Sequence, residues 1–322
     1  MTIHRLAVLT SGGDAPGMNA AIRSVVRNAV HHGVEAVGVQ QGYRGLMTGD
    51  FVPLSNRSTG GIMLRGGTML GSARAPEFAT NEGRDKALGH LEQAKIDGLI
   101  VIGGNGSQSG TYSLHEAGFP AIGVASTIDN DLSLVDTCIG VDTALNTGLA
   151  LIDRLRDTAT SHHRAFVVEM MGRKSGYLAL MAGIASGAEM ICTPESPVAI
   201  EEIIDTVQSA QRVGKNHFLV VVAEGSPLKA ADIVEALNAD GCFEARLSVL
   251  GHVQRGGAPL AFDRLLGSRS AALAVQALIR GESGSLAGLA NGDITLVPLA
   301  DAILPSRKVT PELLALGAIL SR

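Results

Sequence analysis

Tryptophan is absent from this chain, and all aromatic residues together make up only 3% of it. An interior without large rings must be filled by aliphatic side chains. A hydrophobic content of 46% and a mean hydropathy of +0.24 allow a sizeable core of that kind. Cysteine is scarce: Cys138, Cys192 and Cys242 are odd in number and far apart. That pattern offers neither a disulfide framework nor a zinc-binding spacing, and it points to a reducing, cytoplasmic compartment. No apolar run reaches the length of a membrane span, and the run after His4-Arg5 is too short for a signal peptide, so no membrane partner is expected. Positive charge is not in excess either. Lys and Arg number 26 against 31 Asp and Glu, a net charge of −5, which argues against a nucleic-acid partner. Low-complexity segments and long linkers are missing as well.

Glycine is what the chain has in quantity, 40 among 322 residues, gathered in short loops rather than repeats. Such loops let backbone approach a ligand closely. The first follows an apolar run, Leu6 to Thr10, that reads as a buried strand. Ser11-Gly12-Gly13-Asp14-Ala15-Pro16-Gly17 is then a tight loop, and Asn19 to about His32 has helical spacing. Strand, glycine loop and helix form a cradle for an anion. The spacing of Gly12 and Gly17 matches a Walker loop, but Met18-Asn19 stands where Lys-Ser/Thr is required. Ala36 to Val39 is followed by Gln40-Gln41, with no acid for a ribose. Read alone, this loop is an ordinary αβ turn.

A second apolar run, Gly98 to Ile102, precedes Gly103-Gly104-Asn105-Gly106-Ser107, with Ser107 as the expected N-cap of a helix to about Glu116. A third, Ala121 to Val124, precedes Ser126-Thr127-Ile128-Asp129-Asn130-Asp131. In extended backbone, residues two apart face the same side, so Asp129 and Asp131 are expected to meet one reaction centre. Two such carboxylates call for a cation or a shared proton. Phosphoryl transfer provides both needs, one acid near a divalent metal and the other taking a proton from an attacking hydroxyl. The alternative is a strand-ending turn rich in Asp and Asn. Ligands of open α/β sheets bind at the carboxyl ends of strands, so these three loops can converge on one crevice.

Downstream, Leu145 to Thr158 reads as a helix, Ala165 to Met170 as a strand, Ser175 to Ala185 and Ile200 to Arg212 as helices and His217 to Ala223 as a strand. Ala230 to Ala239 is a helix, Arg246 to Leu250 a strand, Asp263 to Arg280 a helix, Ile294 to Val297 a strand and Pro311 to Ile319 a short helix. The adjacent His162 and His163 do not share a helix face and are set aside as metal ligands. The alternation gives an α/β protein with mostly parallel sheet. Arg164, Arg173, Arg246, His252 and Arg255, with the single acid Glu224, suit a phosphorylated, hydroxyl-bearing substrate; each by itself also fits a surface ion pair.

Five segments in order resemble bacterial ATP-dependent 6-phosphofructokinases across nearly the whole chain. They are Thr10 to Asn19, Gly71-Ser72-Ala73-Arg74, Thr127-Ile128-Asp129-Asn130-Asp131, Met171-Gly172-Arg173 and Gly251-His252-Val253-Gln254-Arg255-Gly256-Gly257. The resemblance implies transfer of the γ-phosphoryl of ATP to the 1-hydroxyl of fructose 6-phosphate, with Mg²⁺. It implies two similar Rossmann-like lobes with the active site in the cleft between them, 1–140 plus 254–304 for nucleotide and 141–253 plus 305–322 for sugar phosphate. By the same resemblance Asp129 is the base and Asp131, with Asn105, holds Mg²⁺. Gly13, Arg74, Ala75 and Gly104 to Ser107, Gly106 included, hold the nucleotide, while Thr127 and Arg173 flank the transferred group. Met171, Gly172, Glu224, His252 and Arg255 hold the sugar phosphate. Arg164 and Arg246 match residues donated by a neighbouring subunit, which implies a homotetramer. Arg23, Arg27, Arg156, Glu189, Lys215 and His217 match effector-site positions, whereas Asn56, Gly61 and Asn216 depart from them.

Two further departures bear on chemistry. Asn105 replaces the family's usual aspartate, removing one negative charge from the metal site. That motivates a second reading, a weakly catalytic regulatory subunit. Pyrophosphate-using relatives carry Asp where this chain has Gly106 and Lys where it has Ser126, so ATP is the expected donor and pyrophosphate the alternative. A dinucleotide-binding oxidoreductase is disfavoured by the missing ribose acid.

Overall fold

The computed structural model describes residues 2–304 and 309–321. By its internal contacts the chain divides into two units, Met1–Thr143 with Arg255–Arg307 and Ala144–Gln254 with Lys308–Arg322. The second-lobe segment expected from residue 305 begins outside the described residues.

The first unit contains β1 (Arg5–Ser11), α1 (Met18–His31), β2 (Glu35–Val39), α2 (Tyr43–Thr48), β3 (Phe51–Leu54), α3 (Asn81–Gln93), β4 (Gly98–Gly103), α4 (Asn105–Glu116) and β5 (Ala121–Ala125). Helix α5 (Val141–His162) begins at its end and continues into the second unit. That unit holds β6 (Arg164–Met170), α6 (Tyr177–Ser186), β7 (Met190–Cys192), α7 (Ile200–Arg212), β8 (Phe218–Ala223), α8 (Ala230–Asp240) and β9 (Glu244–Val249). The chain then returns to the first unit for α9 (Ala261–Ile279), β10 (Ser285–Ala290), β11 (Asp293–Pro298) and α10 (Leu299–Ala302), and α11 (Pro311–Leu320) belongs to the second.

The first unit's sheet has seven strands in the order β11-β10-β5-β4-β1-β2-β3. Its five central strands run parallel, and only the edge strands β3 and β11 are antiparallel. Strands β1, β4 and β5 are buried along almost their whole length, as parallel strands covered on both faces must be. One face carries Ala7, Leu9, Leu99 and Val101 against Leu46, Leu91 and Leu114 from α2, α3 and α4. Helices α1 and α9 pack against each other, and both contact β4. From β1 the chain proceeds to β2 and β3 on one side and then to β4 and β5 on the other. The order therefore reverses between β1 and β4, the place where open α/β sheets bind ligands.

The second unit's sheet is smaller and wholly parallel, in the order β7-β8-β6-β9. Ala165, Val167, Phe218, Val220 and Val222 pack on Ile203, Val207, Ile233 and Leu237 of α7 and α8.

Helix α5 starts at Val141, four residues before the start expected at Leu145. The reason lies outside the helix. Asp263 accepts hydrogen bonds from Gly140 N and Thr143 N, both at 2.8 Å, and from Thr143 Oγ1 at 2.6 Å. The first turn is thus capped from α9, a partner 120 residues away in sequence.

Candidate functional site

The ends of β1, β4 and β5 meet. Gly103 sits so close to β1 that an added Cβ would lie 2.7 Å from Ser11 O, and one on Gly104 would lie 3.1 Å from Thr127 Cβ. Gly12 has φ +83°, a left-handed conformation that favours glycine, and Ser107 Oγ packs beside it. The loop before α3 closes over β1. Ser72 Oγ donates to Gly12 O at 2.6 Å and Thr10 Oγ1 to Gly71 O at 2.9 Å. Asn19, at the start of α1, donates to Arg65 O and accepts from Met69 N. Arg255 is 8% exposed; its Nη1 donates to Asp14 O at 2.9 Å, and a Cβ on Gly13 would collide with its guanidinium. Gly13, Gly104, Asn105, Gly106, Ser107, Thr127 and Arg255 thus cluster in the first unit. Arg74 lies exposed in the loop that Ser72 ties down, with Ala75 next to it.

Ser107 is not the N-cap of α4. The helix begins at Asn105 behind Gly104, which makes no side-chain cap, and Ser107 sits inside the first turn. The glycine backbone already turns into the helix, so a side-chain cap is not required and the first N–H groups stay open to an anion. A residue that the sequence did not single out supports this turn. Tyr43 is buried, donates its hydroxyl to Ser107 O at 2.6 Å, and stacks on Phe78. Burial pushes its pKa far up, so the hydroxyl keeps its proton. A lone aromatic outside any periodic run gave no signal of this role.

The alternation expected for Asp129 and Asp131 does not occur. Ile128 and Asp129 form a turn, and Asn130 has φ +50°. Asparagine tolerates that conformation, and here its side chain accepts from Cys138 N and donates to Asp136 O. Asp129 N donates to Thr127 Oγ1 at 3.1 Å. Asp129 is only 3% exposed, while Asp131 is half-buried, so the two acids occupy different environments on one tight loop.

In the second unit the ends of β6 and β8 hold another cluster. Glu224 Oε1 accepts from Gly172 N at 3.1 Å and Arg173 N at 2.5 Å, while Gln254 Oε1 accepts from Met171 N at 2.9 Å. Arg173 and His252 are exposed near these ends. Arg164 and Arg246 are not part of this cluster. Both pair with Glu244 near the opposite ends of β6 and β9, and the pairing with Arg164 holds the Glu244 carboxyl below its usual range. A strand the length of β6 spans roughly 20 Å, beyond the reach of an arginine side chain.

Of the expected effector residues, Arg156, Glu189, Lys215 and His217 lie in the second unit. Glu189 pairs with Lys215 at 3.1 Å and accepts from Leu219 N, Arg156 donates to Ser186 O, and His217 hydrogen-bonds Asn216. Arg23 and Arg27 lie on α1 in the first unit, where Arg27 reaches Asn56 O.

The donors available for Mg²⁺ are oxygens of Asp129, Asp131 and Asn105. No group of three His, Cys, Asp or Glu side chains suited to a metal exists among the described residues. One or two carboxylates on a loop at a strand end fit Mg²⁺, which keeps waters and takes few protein ligands. Among the described residues no helix is long and apolar enough to cross a membrane.

Comparison with known proteins agrees with this geometry. The family model for phosphofructokinase matches residues 5–278. The chain is 49% identical over 321 residues to ATP-dependent 6-phosphofructokinase 1 of Thermus thermophilus, covering 99% of this chain and 100% of the relative. It is 47% identical over 320 residues to the ATP-dependent 6-phosphofructokinase of Thermotoga neapolitana, again covering 99% and 100%. The solved phosphofructokinase of Saccharomyces cerevisiae is 37% identical with a TM-score of 0.87 over 93% of this chain, which spans 45% of the yeast chain. A pyrophosphate-dependent phosphofructokinase from Marinobacter aquaeolei, 20% identical, shares the fold at a TM-score of 0.85, with 99% of this chain and 91% of that one covered. The chain belongs to the phosphofructokinase family.

Proposed function

We propose that this chain is an ATP-dependent 6-phosphofructokinase, transferring the γ-phosphoryl of ATP to the 1-hydroxyl of fructose 6-phosphate to give fructose 1,6-bisphosphate and ADP. The observation that carries the reading is the meeting of the β1, β4 and β5 end loops at the reversal of strand order. Backbone N–H groups behind Gly12–Gly13 and at the start of α4 face a phosphate chain there, with Arg74 as its counter-charge. Asp129 takes the proton of the 1-hydroxyl as its oxygen bonds to the γ-phosphorus, and the β–γ bridging bond breaks with its electron pair leaving on ADP. Thr127 and Arg173 flank the transferred group. Bound Mg²⁺ would neutralise phosphate charge, held by Asp131 and, through water, by Asn105. Met171, Gly172, Glu224, His252 and Arg255 bind the sugar phosphate.

ATP is favoured over pyrophosphate because nothing lies within 4 Å of a Cβ placed on Gly106, so the space at the start of α4 is open. Arg164 and Arg246 lie far along the strands from Met171–Arg173, which supports their acting on a second copy of the chain, in a homotetramer. A reducing cytoplasmic setting fits three cysteines that form no disulfide, two of them buried. Weak or altered regulation by ADP or phosphoenolpyruvate follows from the cations missing at Asn56 and Asn216; a full shift of the saturation curve with phosphoenolpyruvate would sink that reading. Asn105 favours a second reading, a nucleotide- and sugar-phosphate-binding subunit with little turnover.

The test is an assay of purified protein with fructose 6-phosphate and Mg²⁺, supplying ATP or pyrophosphate in parallel. Turnover with ATP alone is expected. Turnover with pyrophosphate overturns the Gly106 argument, and ATP binding without turnover moves the second reading to first place.

A further inference from the structure

We propose that Gln254 is a positioning residue for sugar-phosphate binding, holding the Met171–Arg173 turn in its binding geometry through the Met171 N–H. The inference rests on reading the chain as a sugar-phosphate kinase.

Three successive backbone N–H groups at the end of β6 are each tied to a side-chain oxygen: Met171 to Gln254 Oε1 at 2.9 Å, and Gly172 and Arg173 to Glu224 Oε1 at 3.1 and 2.5 Å. The turn they form is a strained one. Gly172 has φ +153°, and a Cβ there would strike Ser175 O; Arg173, which does carry a side chain, has φ +52°. Backbone of this kind persists only where its surroundings over-determine it. Glu224 and Gln254 do this from two directions. Because Glu224 commits one oxygen to the turn, the other is left for a substrate hydroxyl, and the anchor at Met171 falls to Gln254 alone.

Packing does not explain Gln254. It is fully buried, yet its Nε2 makes no hydrogen bond among the described residues. A buried amide with an unpaired nitrogen costs stability, and a methionine would fill much the same space without that cost. What the position uses is the acceptor oxygen. The turn's N–H groups are also closed to an incoming phosphate, so substrate is met by side chains and carbonyls whose directions depend on the turn being held.

The test is steady-state kinetics with calorimetric fructose 6-phosphate binding, on the full-length protein. Gln254→Met is expected to raise the KM and Kd for fructose 6-phosphate roughly tenfold and to lower kcat, with the KM for ATP within about twofold and the melting temperature little changed. Gln254→Glu, which keeps an acceptor for Met171 N–H, is expected to return the fructose 6-phosphate KM toward wild type. Should Gln254→Met not fold, Gln254→Asn carries the same expectation, its amide falling one methylene short. A folded Gln254→Met or Gln254→Asn protein with wild-type affinity for fructose 6-phosphate overturns the proposal. So does equal impairment toward both substrates, or failure of Gln254→Glu to restore binding. An inactive wild type would count against the kinase reading, whereas unchanged sugar-phosphate binding in the variants of an active enzyme counts against Gln254 alone.

Discussion

At the scale of single residues, the site is decided by where charge and space are left. Asp129 is nearly buried on a loop whose backbone is held through Thr127 and Asn130, so the loop is set before substrate arrives. Asp129→Ser should lower kcat by roughly 10²–10⁴-fold with substrate still binding, the loss expected of a general base; steady-state rates and calorimetric binding measure the two effects separately, and an unchanged kcat would remove Asp129 from the role. Asn105 opens α4 with a neutral amide. Asn105→Asp adds one negative charge at the start of α4, beside the proposed nucleotide site, and the Mg²⁺ concentration for half-maximal rate should fall by roughly threefold to tenfold. A titration with no difference between the two proteins would show that this position does not reach the metal.

At the scale of elements, the capping of α5 is the sharpest case of distant residues setting local structure. Asp263 is fully buried and receives three donors from Gly140 and Thr143. Asp263→Ala strands those donors and should cost about 3 kcal/mol, read from urea denaturation. The pH dependence has a definite sign. Burial raises the Asp263 pKa despite the three hydrogen bonds. The folded state therefore holds that proton more tightly than the unfolded chain, and the stability this adds is greatest at low pH and lost as pH rises through the folded value. The pH-dependent part of the wild-type advantage over Asp263→Ala should shrink from about pH 4 upward; an advantage that grows with pH would contradict it. Long elements were legible from pattern: β1, β4, β5, β6 and β8 read as continuous aliphatic runs because both faces are covered. Short or mixed ones were not. Pro53 interrupts β3, β7 has three residues, and α3 carries Gly83, Gly89 and His90 among few apolar positions.

At the scale of the whole molecule, one chain does not bring all its candidate phosphate-binding arginines together. Arg164 and Arg246 lie with Glu244 toward the opening ends of β6 and β9, whereas Met171–Arg173 follow the closing end of β6. If each site takes its arginines from a second copy, two inactive variants should complement. Asp129→Ser protein refolded together with Arg164→Ala/Arg246→Ala protein should recover activity roughly tenfold above either alone, since some sites then pair an intact base with intact arginines. Activity no higher than the parents' sum would mean that each chain completes its own site.

The sequence by itself determined the α/β class, the glycine loops at strand ends and the residue types of a phosphoryl-transfer site, because buried strands and backbone-approach loops leave local compositional marks. Only the tertiary structure decided which acid is buried, that Gly104 rather than Ser107 is the residue before the first turn of α4, and that Tyr43, Asp263 and Gln254 hold turns in place. Those facts depend on contacts between residues as many as 123 positions apart, Gly140 with Asp263. A hydrogen bond across that distance leaves no periodicity in the chain, and a backbone reversal such as that at Asn130 breaks the alternation from which facing side chains are read.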